Sequence, residues 1–277
     1  MSRMCQVLKV SRSGYYAWRG RPPSEREMAN QALYKEIKAV YDESHGTYGS
    51  PRIYQALRRR GFTCSENRVA RLMRLKGLQA EQAKSYKSTT KRNKADAVAP
   101  NVLQRDFEAT RPDEKWLADI TQIPTEEGWL YLAAILDLYS RRIVGWAMSD
   151  RMTDDLTLSA LRMAVEQREL GLNLIHHSDQ GSQYTSGDYQ QMLKDWGIEI
   201  SMNSVGTWYD NAPMESFFGT LKCEWVHRHT YLTRDEATTN LFYYIEAFYN
   251  QRRLHSSLGY LSPVEHEQLY YQEFIPA

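Results

Sequence analysis

The 277-residue sequence predicts an α/β fold, a mixed sheet flanked by helices and preceded by a small all-helical unit. Three observations lead there. From position 113, three strand-like runs follow one another, "EKWLADITQI", "GWLYLAAILDLYS" and "RRIVGWAMS", each rich in aromatic and β-branched residues. Helical and strand patterns then alternate to about position 225, which implies a sheet sandwiched by helices. Charge separates this region from the helical one before it. Residues 1–94 hold 21 Lys and Arg against 7 Asp and Glu, a balance of +14, while the remainder holds 14 against 27, a balance of −13.

Taken in order, the opening "MCQVLKVSRSGYYAW" reads as a helix, a "KVS" turn and a second helix beginning near Ser11, the back part of a helix-turn-helix over residues 1–22. Residues 23–80 read as three helices. The first is amphipathic through Leu33, Ile37, Val40 and Tyr41. The second opens at Pro51 and closes at Gly61. The third, "SENRVARLMRLKG", has a Ser65 cap, an apolar face of Val69, Leu72 and Met73, and Arg68, Arg71 and Arg74 facing outward. A short helix, a glycine-containing turn and a helix bearing a row of arginines fit helix-turn-helix recognition of double-stranded DNA. The competing reading is a plain bundle with solvated arginines; the cationic excess on this unit favours DNA. Residues 81–112 are polar, basic and proline-bounded, and read as a linker.

The core is expected over 113–227, with a helical arm over 228–277. Asp119 falls inside the first strand, where a bare carboxylate is costly unless compensated. Asp179 ends the fourth strand, "LNLIHHSD", ahead of a loop containing Gly181, and strand ends are where open sheets gather functional groups. Glu215 begins an aromatic-rich helix in "YDNAPMESFFGTLKCE". There Asp210 or Asn211 can cap, Pro213 suits the first turn, and Met214, Phe217, Phe218, Leu221 and Trp225 make a core stripe. Glu215, Gly219 and Lys222 form a second stripe beside it. Sixty positions separate Asp119 from Asp179, and 35 residues lie between Asp179 and Glu215.

Hydrophobic residues make up 42% and charged residues 25%, an ordinary globular balance. No apolar run reaches membrane-spanning length, and the first ten residues lack the pattern of a signal peptide. Cys5, Cys64 and Cys223 are isolated, which suggests neither a disulfide framework nor a cysteine zinc site. A cytoplasmic protein with no membrane partner is expected.

Five linked motifs, "WLADIT", "LDLYSRRIVGWAMS", "HSDQGSQYTS", "YDNAPMESFFGTLKCE" and "FYNQRRLHSSLGYLSP", resemble the DDE transposases of bacterial insertion sequences, of the type encoded by a second open reading frame, OrfB. The resemblance extends to the "HGTYGSPRIY" region and implies a ribonuclease H-like core similar to retroviral integrases. Carried over by position, it makes Asp119, Asp179 and Glu215 the catalytic and metal-holding acids. The implied cofactor is Mg²⁺, two ions, with Mn²⁺ as a substitute; ions about 4 Å apart neutralise both the attacking and the leaving oxygen. The implied reaction is cleavage at insertion-sequence ends followed by strand transfer from the freed 3′-hydroxyl. Implied partners are double-stranded DNA at element ends and target, an upstream open-reading-frame product or fusion, and further copies of the chain on DNA, in association with the nucleoid. Where family members often carry a basic residue or two just before the glycine of the "YDN" loop, this chain has Ser204 and Val205.

Other residues carry weaker signals. Lys222, about two turns below Glu215, is placed to hold a phosphate. Arg252 and Arg253 either grip DNA or, with His255, cap a helix opened by the "TRDE" box at Thr233. Trp208 and Tyr209 either stack on a DNA end or simply pack. Asp137 reads either as an aid to the metals or, the favoured reading, as a structural partner of Arg141 or Arg142, and His176 and His177 read as supports of Asp179. A nuclease that cuts without joining and a DNA-binding regulator with a dead core are the alternatives, separated by a strand-transfer assay and by metal-dependent cleavage.

Overall fold

The computed structural model describes residues 2–80, 99–203 and 210–274. The chain divides into two compact units between Ala80 and Glu81.

The first unit is all helical: α1 (Ser2–Val7), α2 (Arg12–Arg19), α3 (Glu25–Glu43), α4 (Ser50–Arg59) and α5 (Glu66–Leu75). Side-chain caps set three of the starts. Ser11, Ser24 and Ser65 accept from the amides of Gly14, Glu27 and Arg68, each satisfying a first-turn donor that has no partner within its helix. Leu33, Ile37 and Val40 of α3 are buried, as are Ile53 and Leu57 of α4 and Val69, Leu72 and Met73 of α5. Gly61, at φ 82°, makes the turn between α4 and α5. The leading pair buries little: Cys5 is buried, whereas Val7, Leu8, Val10, Tyr16 and Trp18 are exposed.

The second unit is built on a five-stranded sheet of β1 (Lys115–Thr125), β2 (Gly128–Asp137), β3 (Ile143–Ser149), β4 (Ile175–Ser178) and β5 (Glu199–Met202), in the order β3-β2-β1-β4-β5. The first three strands form an antiparallel meander, and β4 and β5 join parallel to β1. This makes β1 the central strand. Its even-numbered residues Trp116, Ala118 and Ile120 pack into a core with α6 (Asp154–Gln167), α7 (Ser182–Thr185) and α8 (Gly187–Asp195). By the two-residue period of a strand, Leu117 and Asp119 face the other side. Gly145 lets α6 lie against β3: a Cβ there would collide with the Ala160 carbonyl oxygen and sit 2.7 Å from Ala164 Cβ.

Next come α9 (Ala212–Glu224) and α10 (Arg234–Phe242), then a π-helical stretch over Tyr243–Tyr249 and α11 (Pro263–Phe274). The "TRDE" box forms with a shift. Thr233 accepts from the Glu236 amide, while Glu236 accepts from Leu232 and not from Thr233. Asn250 extends the sheet edge, its Oδ1 accepting from Ile143 N and its Nδ2 donating to Ile143 O. A buried ion cluster ties α11 to the start of the sheet: Arg168 bonds both Asp113 and Glu267. The later half of the segment read as linker lies on the core, where Val102 and Leu103 donate to Ser201 Oγ. Among the described residues no helix is long and apolar enough to cross a membrane.

Candidate active site

Asp119 sits mid-way along β1 opposite Ala134 of β2, partly buried, with its Oδ1 accepting from the Ile120 amide at 2.7 Å. Its carboxyl is pushed up to about 8, first by burial, then by the charge of Asp179 and, less strongly, that of Glu215; Lys222 pulls the other way. Asp179 follows β4 directly. Its Oδ1 takes the Gly181 amide at 2.9 Å, closing the turn that holds it at the strand end, and burial raises its carboxyl. Glu215 occupies the first turn of α9, exposed, and desolvation raises it as well. Lys222 is lowered by burial and raised by Asp119. The fold thus brings Asp119 into the field of Asp179, Glu215 and Lys222. Among the described residues, no three acidic, histidine or cysteine side chains stand close enough together to enclose a metal ion. The arrangement is an open one.

Two polar ties set this geometry. Asn211 is the N-cap residue of α9 yet makes no side-chain cap bond. Its Nδ2 donates instead to the carbonyl of Ala118, the residue before Asp119, at 3.1 Å. Its own carbonyl accepts from the Glu215 amide. One residue therefore links the strand bearing the first acid to the turn bearing the third. Asp210 does not cap either: it is buried and accepts from Arg105 and Asn101. The second tie lies under Asp179. Ser201 Oγ already accepts two amides, so its proton goes to His177 Nδ1 at 2.8 Å. His177 Nε2–H then donates to Asn203 Oδ1 at 2.6 Å, and Gln180, next to Asp179, donates to the Asn203 carbonyl. Burial holds both His176 and His177 below the usual imidazole range, so they act as neutral supports.

Other expectations fare differently. Arg253 corrects one: it is 4% exposed and gives both arms of its guanidinium to Glu224, at 2.7 and 2.6 Å, so it has no face for DNA. Arg252 is exposed. Arg68 donates to Asn30 at 3.0 Å, while Arg71 and Arg74 are exposed; Arg68 and Arg71 line a groove with Glu25, Arg26, Ala29 and Asn67. Asp137 is fully buried but serves backbone and hydroxyl donors of Asp113 and Ser140, and Arg142 pairs with Glu267 instead. Ser204, Val205, Trp208 and Tyr209 lie outside the described residues. Sequence reasoning missed the Asn211–Ala118 tie and the Ser201–His177–Asn203 chain.

An acid inside the central strand, a second at the end of a parallel neighbour and a third on a following helix define the integrase-core class of DDE polynucleotidyl transferases. Residues 109–207 and 215–270 each match an integrase core domain, and residues 28–86 match an HTH-like domain. The "Insertion element IS600 uncharacterized 31 kDa protein" of Shigella sonnei is 44% identical over 97% of this chain and 99% of its own. "Transposase InsF for insertion sequence IS3A" of Escherichia coli (strain K12) is 41% identical over 95% of this chain and 92% of its own. The chain belongs to this family of insertion-sequence transposases, and its function is that of a transposase. The fold is also that of a chain in the cryo-EM structure of the simian T-cell lymphotropic virus intasome with PP2A regulatory subunit B56 gamma. That chain is 14% identical with a TM-score of 0.51, over 87% of this chain and 76% of that one.

Proposed function

We propose that Asp119, Asp179 and Glu215 hold two Mg²⁺ ions, for which Mn²⁺ substitutes, and that the site cuts the ends of its insertion sequence and joins them to target DNA. The observation that carries this is the placement of Asp119 mid-way along the central strand, in the field of Asp179 at the end of β4 and of Glu215 in the first turn of α9. Three oxygen donors and no sulfur suit a hard divalent cation, and a cation there offsets the burial and the neighbouring negative charges that raise Asp119. When bound, the ions supply neutralisation of charge on the attacking and leaving oxygens.

The protein's own groups do the rest. Asn211 sets the spacing between Asp119 and the first turn of α9. The neutral His177 keeps Asn203, and through it Gln180, fixed beside Asp179. Lys222 holds a DNA phosphate, and Gly219 leaves the face between Glu215 and Lys222 open, since a Cβ there would meet nothing within 4 Å. Arg71 and Arg74, with Arg68 held by Asn30, carry DNA contacts of the first unit, and Arg252 those of the second. Double-stranded DNA, at element ends and target, is the substrate. The exposed apolar side chains of α1 and α2 are assigned to an upstream reading-frame product, free or fused, and copies of the chain assemble on the DNA.

The experiment uses labelled duplexes carrying the element's own ends, incubated with the protein and Mg²⁺. Asp119→Asn, Asp179→Asn and Glu215→Gln are each expected to abolish cleavage and joining while retaining DNA binding. A variant with near-normal strand transfer removes that residue from the set.

A further inference from the structure

Helix α9 presents Glu215 and Lys222 on one side and a second carboxylate, Glu224, on the other. Nine residues separate the two glutamates, so at 3.6 residues per turn they stand about half a turn apart around the axis and about 13 Å apart along it. Glu224 is 6% exposed. Three donors reach it from the segment that follows: Arg253 Nε and Nη2, and the Tyr244 hydroxyl at 3.1 Å. Arg253 is fixed in turn. Its guanidinium lies 5.8 Å from the centre of the Tyr249 ring, and its Nη1 donates to His255 Nε2 at 3.1 Å. A guanidinium only donates, so His255 accepts there and carries its proton on Nδ1. Tyr249 also packs edge-on to Phe217 of α9, with centroids 4.8 Å apart. The whole assembly is referenced to the sheet through Asn250, which bonds Ile143 of β3 in both directions.

Resting on the assignment of Asp119, Asp179 and Glu215 as the metal-holding acids, we propose that the Glu224–Arg253 pair is a positioning device for the metal site. It sets the rotation of α9 about its own axis, and so the direction in which Glu215 faces Asp119, without touching metal or DNA. Stability alone does not call for ions at this place, because a buried pair exchanged for apolar residues of similar volume is often no less stable. What a bidentate fork adds is a fixed angle. The buried stripe of Met214, Phe217, Phe218 and Leu221 seats α9 on the core and Asn211 ties its first turn to β1, while the fork adds a directional constraint at its last turn. With a carboxylate about 6 Å from the axis, a 20° rotation shifts it by about 2 Å. Catalytic constellations tolerate about 0.5 Å.

The test follows binding of Mn²⁺ alone to the full chain by electron paramagnetic resonance, with thermal melting and DNA-end cleavage in parallel. Arg253→Lys keeps the charge and loses the fork. It is expected to melt near the wild type, bind Mn²⁺ about tenfold more weakly, as loss of a supporting partner does, and lose kcat with the KM for DNA unchanged. The double variant Glu224→Leu with Arg253→Met covers the case in which the lysine variant fails to fold. It is expected to recover stability without recovering Mn²⁺ affinity. Either variant, folded and with wild-type Mn²⁺ affinity, overturns the proposal. A raised KM for DNA with Mn²⁺ affinity intact also overturns it and returns Arg253 to DNA binding. Glu215→Gln run alongside separates the two levels. If it leaves Mn²⁺ affinity unchanged, the assignment of the acids fails; if it weakens binding while Arg253→Lys does not, only the positioning role fails.

Discussion

Gly219→Ala separates stability from function at the site in a single methyl group. Gly219 lies in the interior of α9, four residues after Glu215 and three before Lys222, and a Cβ there would meet nothing within 4 Å. The backbone is already helical and the space is empty, so alanine brings its full helix preference, about 0.8–1 kcal/mol over glycine. For a unit of this size about 1 kcal/mol corresponds to about 2–4 °C in melting temperature, and scanning calorimetry is expected to show a rise of that order. The same methyl stands between the acid and the lysine, on the face proposed for the DNA backbone. A penalty of about 1.4 kcal/mol there lowers kcat/KM for end cleavage about tenfold. The expected result is a more stable and less active enzyme. A lower melting temperature refutes the open space around Gly219, and unchanged kcat/KM refutes the close approach of DNA.

Gly145→Ala is expected to do the reverse of stabilising, since its Cβ would strike backbone atoms of α6 that no rotamer change can move. A cost of about 3 kcal/mol, read as a melting temperature lower by about 6–12 °C, checks the packing of α6 on β3. Lys222→Ala is expected to reduce end cleavage with little change in melting, because the side chain is only partly buried beside Asp119; equal activity at low and moderate salt makes it a plain surface charge. His176 is buried and held at about 3 by burial. Below the ordinary imidazole value the unfolded chain takes up a proton that the folded one does not, so stability falls as pH drops. The loss is about 2 kcal/mol at pH 5. His176→Gln is expected to lack that share in denaturant titrations at pH 7 and pH 5, and parallel losses in the two proteins refute it.

The periodic signals were legible in the sequence because they are local. The stripe of Met214, Phe217, Phe218 and Leu221 is buried as its spacing implies, and so are the three apolar residues of α5. Asp119 and Asp179 stood out because a strand interior and a strand end are unusual places for carboxylates, whereas Glu215 was joined to them only by the five-motif resemblance. What the sequence hid is pairing across distance. Nothing near Arg253 announces that Glu224 is its partner, and a surface-type motif with two adjacent arginines looks the same whether one is buried or neither is. Asn211 was hidden for a related reason. A capping residue and a cross-strand tie use the same side chain at the same position, and only the location of the Ala118 carbonyl decides between them. The π-helical stretch was invisible because its aromatic residues also satisfy an ordinary helical period.

The pairing of Glu224 with Arg253 bears on the order in which the enzyme is made. Asp119, Asp179 and Glu215 have all left the ribosome well before residue 253 does, so a nascent or prematurely ended chain already contains the three acids proposed to hold metal. It does not yet have a counter-charge for Glu224. A buried carboxylate without its partner destabilises a fold by about 3–5 kcal/mol, a large part of the stability of a typical domain. Until residue 253 joins the fold, the last turn of α9 therefore stands without the ion pair that fixes it.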